Sequence, residues 1–485
     1  MLAGKFIRSY SLLSAELVLI VLLSSVAIAF HFNGLYGQDA HEYLRMMREM
    51  QDVFFHGGKM SHTIFPVMYP LIGFFLYEIT GNDFIAMQLI SIISFAIAFH
   101  FLKKLLSLMY AEGKATIIYL SLFFALSPYV LRFSVLSMSD MLCMMFISVA
   151  TFYATTFFVQ KKNSGAALSF IFCLSAVATR YAAIIIIIPI LIFVSWNLIR
   201  RKQWLFLFLS LVLAIIPLLP DLLLRNRLLF FQFSGERFFN DYGSNIYSWS
   251  VLNFFRRNFL NADGWQHYTV WNILYTISNI IHPAFLFAGV AFLFFVKKKD
   301  FSSPLIILFT VIVCLYALVI AGFPYQNNRY LLQTFPFVMV IFFPAFIRCH
   351  QKFFKKKEIR ISIFSMVAAL QLFLFFYSSK ALYQLNQTEQ EIAVALRKFP
   401  NQTIYTCSIN GALQSYHVQN TIVDLYSEKI DEVKLPALLL FNQVEFSDHF
   451  RNKNPMINFS FLQSNFNLLP LQSFEGGWQL FEVRK

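Results

Sequence analysis

Apolar positions along this chain run in long blocks rather than in the two-residue or 3.6-residue rhythms of a soluble core. Blocks long enough for a bilayer, which takes roughly 20 residues per helix, fall at 10–32, 84–102, 115–131, 138–159, 164–179, 182–199, 203–224, 269–296, 302–322, 330–348 and 361–379. A further block, 62–79, is broken by Pro66 and Pro70 and ends at Glu78. After residue 380 the pattern changes to ordinary polarity. A helix is predicted over 386–398, then strands at Thr403–Cys407, Thr421–Leu425 and Ala437–Phe441. Phe466–Leu469 and Gln479–Val483, on either side of Gly476-Gly477, predict a closing hairpin. No internal repeat or low-complexity tract is evident. The predicted fold class is an α-helical polytopic membrane protein carrying a small C-terminal α/β domain. Its parts would be a transmembrane domain, 1–379, and an extracytoplasmic domain, 380–485.

Composition agrees with the pattern. Of the 485 residues, 58% are hydrophobic and 13% charged, against about 25% charged in a soluble domain. The net charge of +14 would suggest nucleic acid only if the basic residues formed one surface. They sit instead in short clusters between apolar blocks, such as Lys103-Lys104, Lys161-Lys162, Arg200-Arg201-Lys202, Lys297-Lys298-Lys299 and Lys355-Lys356-Lys357. That is the signature of cytoplasmic loops and excludes a nucleic-acid partner. Letting 62–79 cross the membrane would turn three of these clusters outward. The charges therefore predict about eleven spans, with 62–79 lying on the outer surface. The loop 33–83, the short loop 132–137, the long loop 225–268 and everything after 380 then face outward. The block 10–32 is too long for a signal peptide and has no small-residue cleavage site. The five cysteines show neither zinc spacing nor a disulfide framework.

Candidate chemistry lies on the outward side. Asp39 and Glu42 follow the first span, and Tyr43, Met46, Met47, Met50, Val53 and Phe54 then recur at helical spacing. This predicts an amphipathic helix lying flat on the bilayer. Asp39 would suit a helix cap, with Glu42 completing a capping box, and equally a base. Asp140 opens a span, where a helix dipole favours a carboxylate, but acids at membrane depth usually serve function. Arg180 and Arg329 stand at the outward boundary, where the positive-inside rule disfavours arginine. They would either snorkel to lipid headgroups or hold a phosphate with their guanidinium forks. Asp263 and His267, late in the long loop, read as a turn beside an interfacial aromatic or as accessory groups.

This arrangement resembles the GT-C membrane glycosyltransferases, the relatives of protein O-mannosyltransferase and lipid A aminoarabinose transferase. Asp39 matches their acidic position in the first outer loop, although their paired acidic dipeptide reads Gln38-Asp39 here. Pro66-Val-Met-Tyr-Pro70-Leu-Ile-Gly-Phe-Phe-Leu-Tyr-Glu-Ile-Thr-Gly81 matches their second surface helix. Asp140 falls at their second acidic position and Arg180 at a common basic one. Arg329-Tyr330-Leu-Leu-Gln-Thr-Phe-Pro336 is similar to their Arg-Tyr-Leu-Leu-Pro stretch. The resemblance implies a polyprenyl-phosphate sugar donor, transfer with inversion, and a lipid, glycan or protein acceptor on the periplasmic side. It implies catalytic roles for Asp39 and Asp140, phosphate binding by Arg180, Arg329 and Tyr330, and accessory roles for Glu42, Tyr43, Asp263 and His267. A divalent cation on Asp39 and Asp140 is left open. The Lys-, Phe- and Ile-rich composition points to a bacterial inner membrane. A lipid-linked sugar flippase and a non-catalytic assembly protein are the rival readings.

Overall fold

A computed structural model of the chain describes residues 2–58, 60–61, 65–110, 113–225, 249–261, 264–285, 289, 292–353, 356–427, 429–450 and 453–485. Helices dominate the first part. Among the described residues seven helical segments are long and apolar enough to cross a membrane. They are α4 (Asp83–Tyr110), α7 (Ser139–Gln160), Tyr181–Arg200, Trp204–Leu224, Pro304–Ala321, Asn328–Phe353 and Lys357–Leu396. Three shorter apolar helices, Glu16–Ala29, Asn163–Thr179 and Asn272–Ile281, accompany them. The chain is an integral membrane protein.

The block 115–131 contains the bend of a broken pair: Ala115–Ala125 and Pro128–Val135 meet at 65°. The sequence explains the break. Ser121–Ala125 forms a π-helical turn, and Pro128 cannot donate back to the preceding turn. The buried Gln371 side chain donates to the Leu122 carbonyl at this distorted turn, which is how freed backbone groups are satisfied at membrane depth.

Helix α7 forms the centre of the bundle and is buried on nearly every face. It packs between α4 and α8 (Asn163–Thr179). Gly165 allows the closest approach, because a Cβ there would lie 2.9 Å from the Tyr153 carbonyl and 3.0 Å from the Phe157 nitrogen. Small residues at helix crossings serve this purpose in membranes.

Two helices lie before α4: α2 (Gly37–His56) and α3 (Met68–Thr80). Thirteen residues of α3 span about 20 Å at 1.5 Å per residue, too little to cross a bilayer core of about 30 Å. The amphipathic face of α2 differs from its predicted use. Tyr43, Met46, Met47 and Met50 are buried inside the protein, with the Tyr43 ring 5.1 Å from those of Tyr69 and Phe65. The methionine stripe meets α3 and α4 rather than lipid; Phe54 and Phe55, 48% and 61% exposed, keep an outward apolar face at the end of the helix. A helical moment reports that one face is apolar and leaves open what covers it.

The C-terminal elements match the predicted strands. β3 (Thr403–Thr406) pairs in parallel with β4 (Ile422–Asp424) and β5 (Ala437–Phe441). β5 pairs antiparallel with β7 (Gln479–Arg484), and β7 with β6 (Asn467–Ser473). The order is β4-β3-β5-β7-β6. Every residue of the central β5 is buried, which is why Ala437–Phe441 reads as an unbroken apolar run. The helix predicted over 386–398 is instead the far end of one 40-residue helix, Lys357–Leu396. It continues without a break through residue 380, so the same rod that fills the membrane block also supports the sheet.

Candidate active site

The first turn of α2 brings Asp39 into the bundle. The helix starts at Gly37, and its N-cap, Tyr36, makes no side-chain capping bond. Asp39 is therefore not a cap and forms no box with Glu42, which instead takes Arg45 Nη2 at 2.5 Å and Nε at 2.8 Å. Asp39 pairs with Arg329. Asp140, in the first turn of α7, pairs with Arg180. Both guanidinium groups lie over the Tyr330 ring, the Arg180 carbon 5.1 Å and the Arg329 carbon 5.4 Å from its centroid. Tyr43 completes the group: its hydroxyl and Ser139 Oγ are 2.8 Å apart. Burial pushes the Tyr43 phenol well above its ordinary pKa, so it stays a neutral hydrogen-bonding group. Six residues from four distant stretches of chain thus meet.

Local structure holds them there. Asn327 caps the short 3-10 helix Asn328–Thr334 by accepting from the Arg329 nitrogen at 3.1 Å. Met138 sulfur accepts from Arg329 Nη1 at 3.8 Å. Arg180 occupies the extended junction between α8 and the following 3-10 turn. The strands of chain preceding the two acids are sewn together: Ser137 N donates to Gly34 O at 2.8 Å. From α4, Gln88 Nε2 donates to Val135 O at 2.9 Å and Ser91 Oγ to Leu136 O at 2.6 Å.

The C-terminal elements grip the same helix. His41 Nδ1 is 2.9 Å from Ser415 Oγ, and its Nε2 is 3.2 Å from Glu389 Oε2, with side chains 0% and 6% exposed. Arg48 donates to Asp83 and, at 3.0 Å, to the Ser415 carbonyl. Asn386 Nδ2 reaches Asn33 Oδ1 at 2.8 Å and the Leu35 carbonyl at 3.1 Å. None of these fixing residues stood out in the sequence. His41 and Arg48 were visible only as polar positions on an amphipathic helix, and nothing local pairs them with Glu389 or Ser415. Asp221, buried and accepting from the Tyr181 hydroxyl at 3.0 Å beside Arg180, was likewise missed.

Exposure separates the two acids. Asp39 is 27% exposed and Asp140 2%, so an incoming hydroxyl can reach the first and not the second. Arg329 Nε is buried with no hydrogen-bond partner. The cluster thus holds a buried charged donor with no acceptor among the described residues. It is poorly suited to a cation: each carboxylate already faces a guanidinium, and no set of three His, Cys, Asp or Glu side chains with metal-binding geometry occurs among the described residues. Glu42 belongs to the partly exposed Arg45 network rather than to the cluster. His267 ends β2 (Gly264–His267), which pairs with β1 (Asn258–Asn261). Its side chain is exposed, and no described contact joins it to the four charges. Asp263 lies outside the described residues.

No family model matches the chain, and no curated protein matches it in sequence. Solved structures do match in fold. The structure is similar to ArnT from Cupriavidus metallidurans bound to undecaprenyl phosphate, with TM-score 0.60 and 12% identity over 95% of this chain and 97% of that one. The apo state of the same protein gives TM-score 0.58 and 13% identity, covering 96% and 98%. The mycobacterial arabinofuranosyltransferase AftD gives TM-score 0.47 and 14% identity over 96% of this chain and 40% of that one. At such identity the likeness to ArnT is one of fold.

Proposed function

From the fold shared with ArnT and the paired charges, we propose that this chain is a GT-C membrane glycosyltransferase that moves a sugar from a polyprenyl-phosphate donor to an acceptor hydroxyl, with inversion. The observation carrying the reading is the pair of arginines on one tyrosine ring, each held by a carboxylate, with one buried N–H unused. ArnT was solved with undecaprenyl phosphate bound, which supports the lipid class of the donor. The membrane is read as crossed about eleven times, with the cluster and residues 380–485 on the periplasmic side of a bacterial inner membrane.

The roles follow from exposure and partners. The donor phosphate enters against Arg180 and Arg329 and takes hydrogen bonds from them, including the spare Nε. This loosens Asp39 from Arg329. The Asp39 carboxylate oxygen is then free to take the proton of an acceptor hydroxyl. The acceptor oxygen then bonds to the anomeric carbon while its proton passes to Asp39. The bond from that carbon to the phosphate oxygen breaks, and the phosphate leaves with the electron pair. Charge growing on it is met by the two guanidinium groups, fixed in advance. Asp140, nearly inaccessible, holds Arg180 in place. Tyr330 offers one aromatic ring to both cations, and Tyr43 joins α2 to α7 beside them.

The test is chemical. Purified protein in lipid nanodiscs is incubated with radiolabelled polyprenyl-phosphate sugars and membrane extracts as acceptor source. A transferase releases free polyprenyl phosphate and labels an acceptor. Donor that is only moved between leaflets, with no free polyprenyl phosphate, would sink the reading in favour of a flippase.

A further inference from the structure

Residues 249–261 and 264–271 form a lip beside the site. Its backbone is tied to the chain that leads into Arg329. Ser250 N and Asn253 Nδ2 donate to Gly322 O at 2.9 and 2.7 Å. Leu260 N donates to Pro324 O at 2.8 Å, and Gln326 N to Leu260 O at 2.7 Å. The Trp249 indole covers Gly322 so closely that a Cβ there has no room. The lip is therefore held on both its ends.

What it presents outward, from the short 3-10 helix Val251–Phe255 and the chain after it, is unusual for a connecting segment. Leu252 is 74% exposed, Phe255 57%, Val251 52% and Trp271 43%. A contiguous apolar patch of this kind marks an interaction surface. Arg256 and Arg257 are exposed in its midst. Their backbone is fixed, since Asn272 N donates to Arg256 O at 2.9 Å and Tyr268 N to Arg257 O at 2.7 Å. Neither makes an ion pair among the described residues. The patch continues onto the apolar helix that follows, through Leu274 (48%) and Ile277 (42%).

We propose that this lip seats in the bilayer interface and binds anionic phospholipid, with its apolar side chains among the acyl chains and Arg256 and Arg257 on headgroup phosphates. Continuity with a lipid-facing helix fixes the depth, since Trp271 stands at its start as interfacial aromatics do. Charge complementarity selects the headgroup: a juxtamembrane arginine favours an anionic surface by roughly fivefold. Arg180 and Arg329 are buried in ion pairs, whereas this pair is free and faces outward, which suits bulk phospholipid rather than the donor. The inference rests on the chain's place in a membrane and not on glycosyl transfer.

Two measurements on the full chain test it. In a background with the five cysteines replaced, nitroxide labels at Leu252→Cys, Ile192→Cys and Val444→Cys are compared in vesicles of phosphatidylcholine with phosphatidylglycerol. Ile192, 63% exposed on a membrane helix, and Val444, 76% exposed by the sheet, serve as references. The Leu252 label should collide with oxygen as Ile192 does and be shielded from a water-soluble relaxer. In the second, needing no cysteine replacement, spin-labelled phosphatidylglycerol and phosphatidylcholine compete for sites on the wild type and on Arg256→Gln/Arg257→Gln. The variant should lose preference for phosphatidylglycerol by roughly fivefold per arginine. A Leu252 label that behaves like Val444 overturns the proposal. So does an unchanged lipid preference in the double variant, or a loss seen only with polyprenyl phosphate, which would make the lip part of the donor path.

Discussion

Buried ion pairs occur at both ends of this helix bundle, and the two ends use them differently. Arg348 lies along the helix from Arg329 by roughly 28 Å at 1.5 Å per residue. Its Nη1 is 3.0 Å from Asp300 Oδ1, its Nη2 bonds Asp300 Oδ2, and its Nε donates to Phe295 O at 2.8 Å. Every nitrogen of that guanidinium has a partner. At the same end Lys103 Nζ and His100 Nδ1 reach Glu16 Oε1 at 2.6 and 3.1 Å, joining the first helix to α4. These contacts fasten neighbouring segments and stand apart from one another, and the one bare atom in them, Glu16 Oε2, is an acceptor on the acid and not a donor that could take a phosphate. At the other end Asp39–Arg329 and Asp140–Arg180 share the Tyr330 ring, one acid is open to water, and one arginine keeps a bare Nε. A saturated pair is a fastener. An unsaturated double pair with an open edge is built to exchange one partner for a ligand.

The widest separation between the two ends should come from Asp39→Asn. Asparagine keeps the size of the side chain and removes the proton acceptor, and positioned proton transfer is worth about 10²–10⁴-fold in rate. Because Tyr36 rather than Asp39 is the N-cap, capping gives no reason for the substitution to disturb the helix. Turnover of the folded protein should fall by that factor at saturating donor and acceptor, with a loss of stability smaller than that for Asp300→Ala because asparagine still accepts a hydrogen bond from Arg329 and Asp39 is 27% exposed; near-normal turnover would leave Asp39 as a mere partner of Arg329. Asp300→Ala should do the reverse. Removing one member of a buried pair costs about 3–5 kcal/mol, and the partial exposure of Arg348, 19%, places the loss toward the lower end. Thermal unfolding in detergent should shift well down while turnover of the surviving protein is kept. Arg180→Ala comes next, at about 2–4 kcal/mol of transition-state stabilisation, read from turnover at subsaturating donor. Lysine should recover only part of it, since the fork geometry is lost; full recovery would mean that charge alone matters there.

The difference between the two ends also marks what the sequence makes legible. Apolar blocks and basic clusters report the bundle because hydrophobic thickness and surface charge act on each segment separately. The strand runs from Thr403 to Val483 are legible for the same reason. Asp140, Arg180 and Arg329 stand out because charge at membrane depth is costly wherever the chain folds. Pairing is another matter. Asp39 reads equally well as a cap or as a base until Arg329 is brought to it. The methionine face of α2 reads as lipid-facing until α3 and α4 cover it. His41, Glu389 and Ser415 are ordinary residues in their own segments, and only their meeting fixes α2 in place. Information that lives in long-range contacts has no local trace.

The smallest predicted effect lies on α2 itself, one turn beyond Asp39. Glu42 and Asp39 are both acids near the start of one helix, and both have arginine partners. Asp39 reaches across the bundle to Arg329, whereas Glu42 takes Arg45 three residues on, in a network with Glu49 whose side chains are 25–30% exposed. Exposed pairs along a helix are worth about 0.3–0.5 kcal/mol. Glu42→Gln should therefore lower stability by no more than that, and the loss should shrink further in high salt as the charges are screened. Turnover should stay within roughly twofold, since about 0.4 kcal/mol corresponds to that factor. The pair of variants Asp39→Asn and Glu42→Gln, made in the same helix and assayed together, isolates position from charge. If Glu42→Gln loses turnover as Asp39→Asn does, the catalytic edge extends along α2 and the acceptor approaches over the Arg45 network. If only Asp39→Asn does, the edge ends at the first turn, where Arg329, Tyr330 and Arg180 close it.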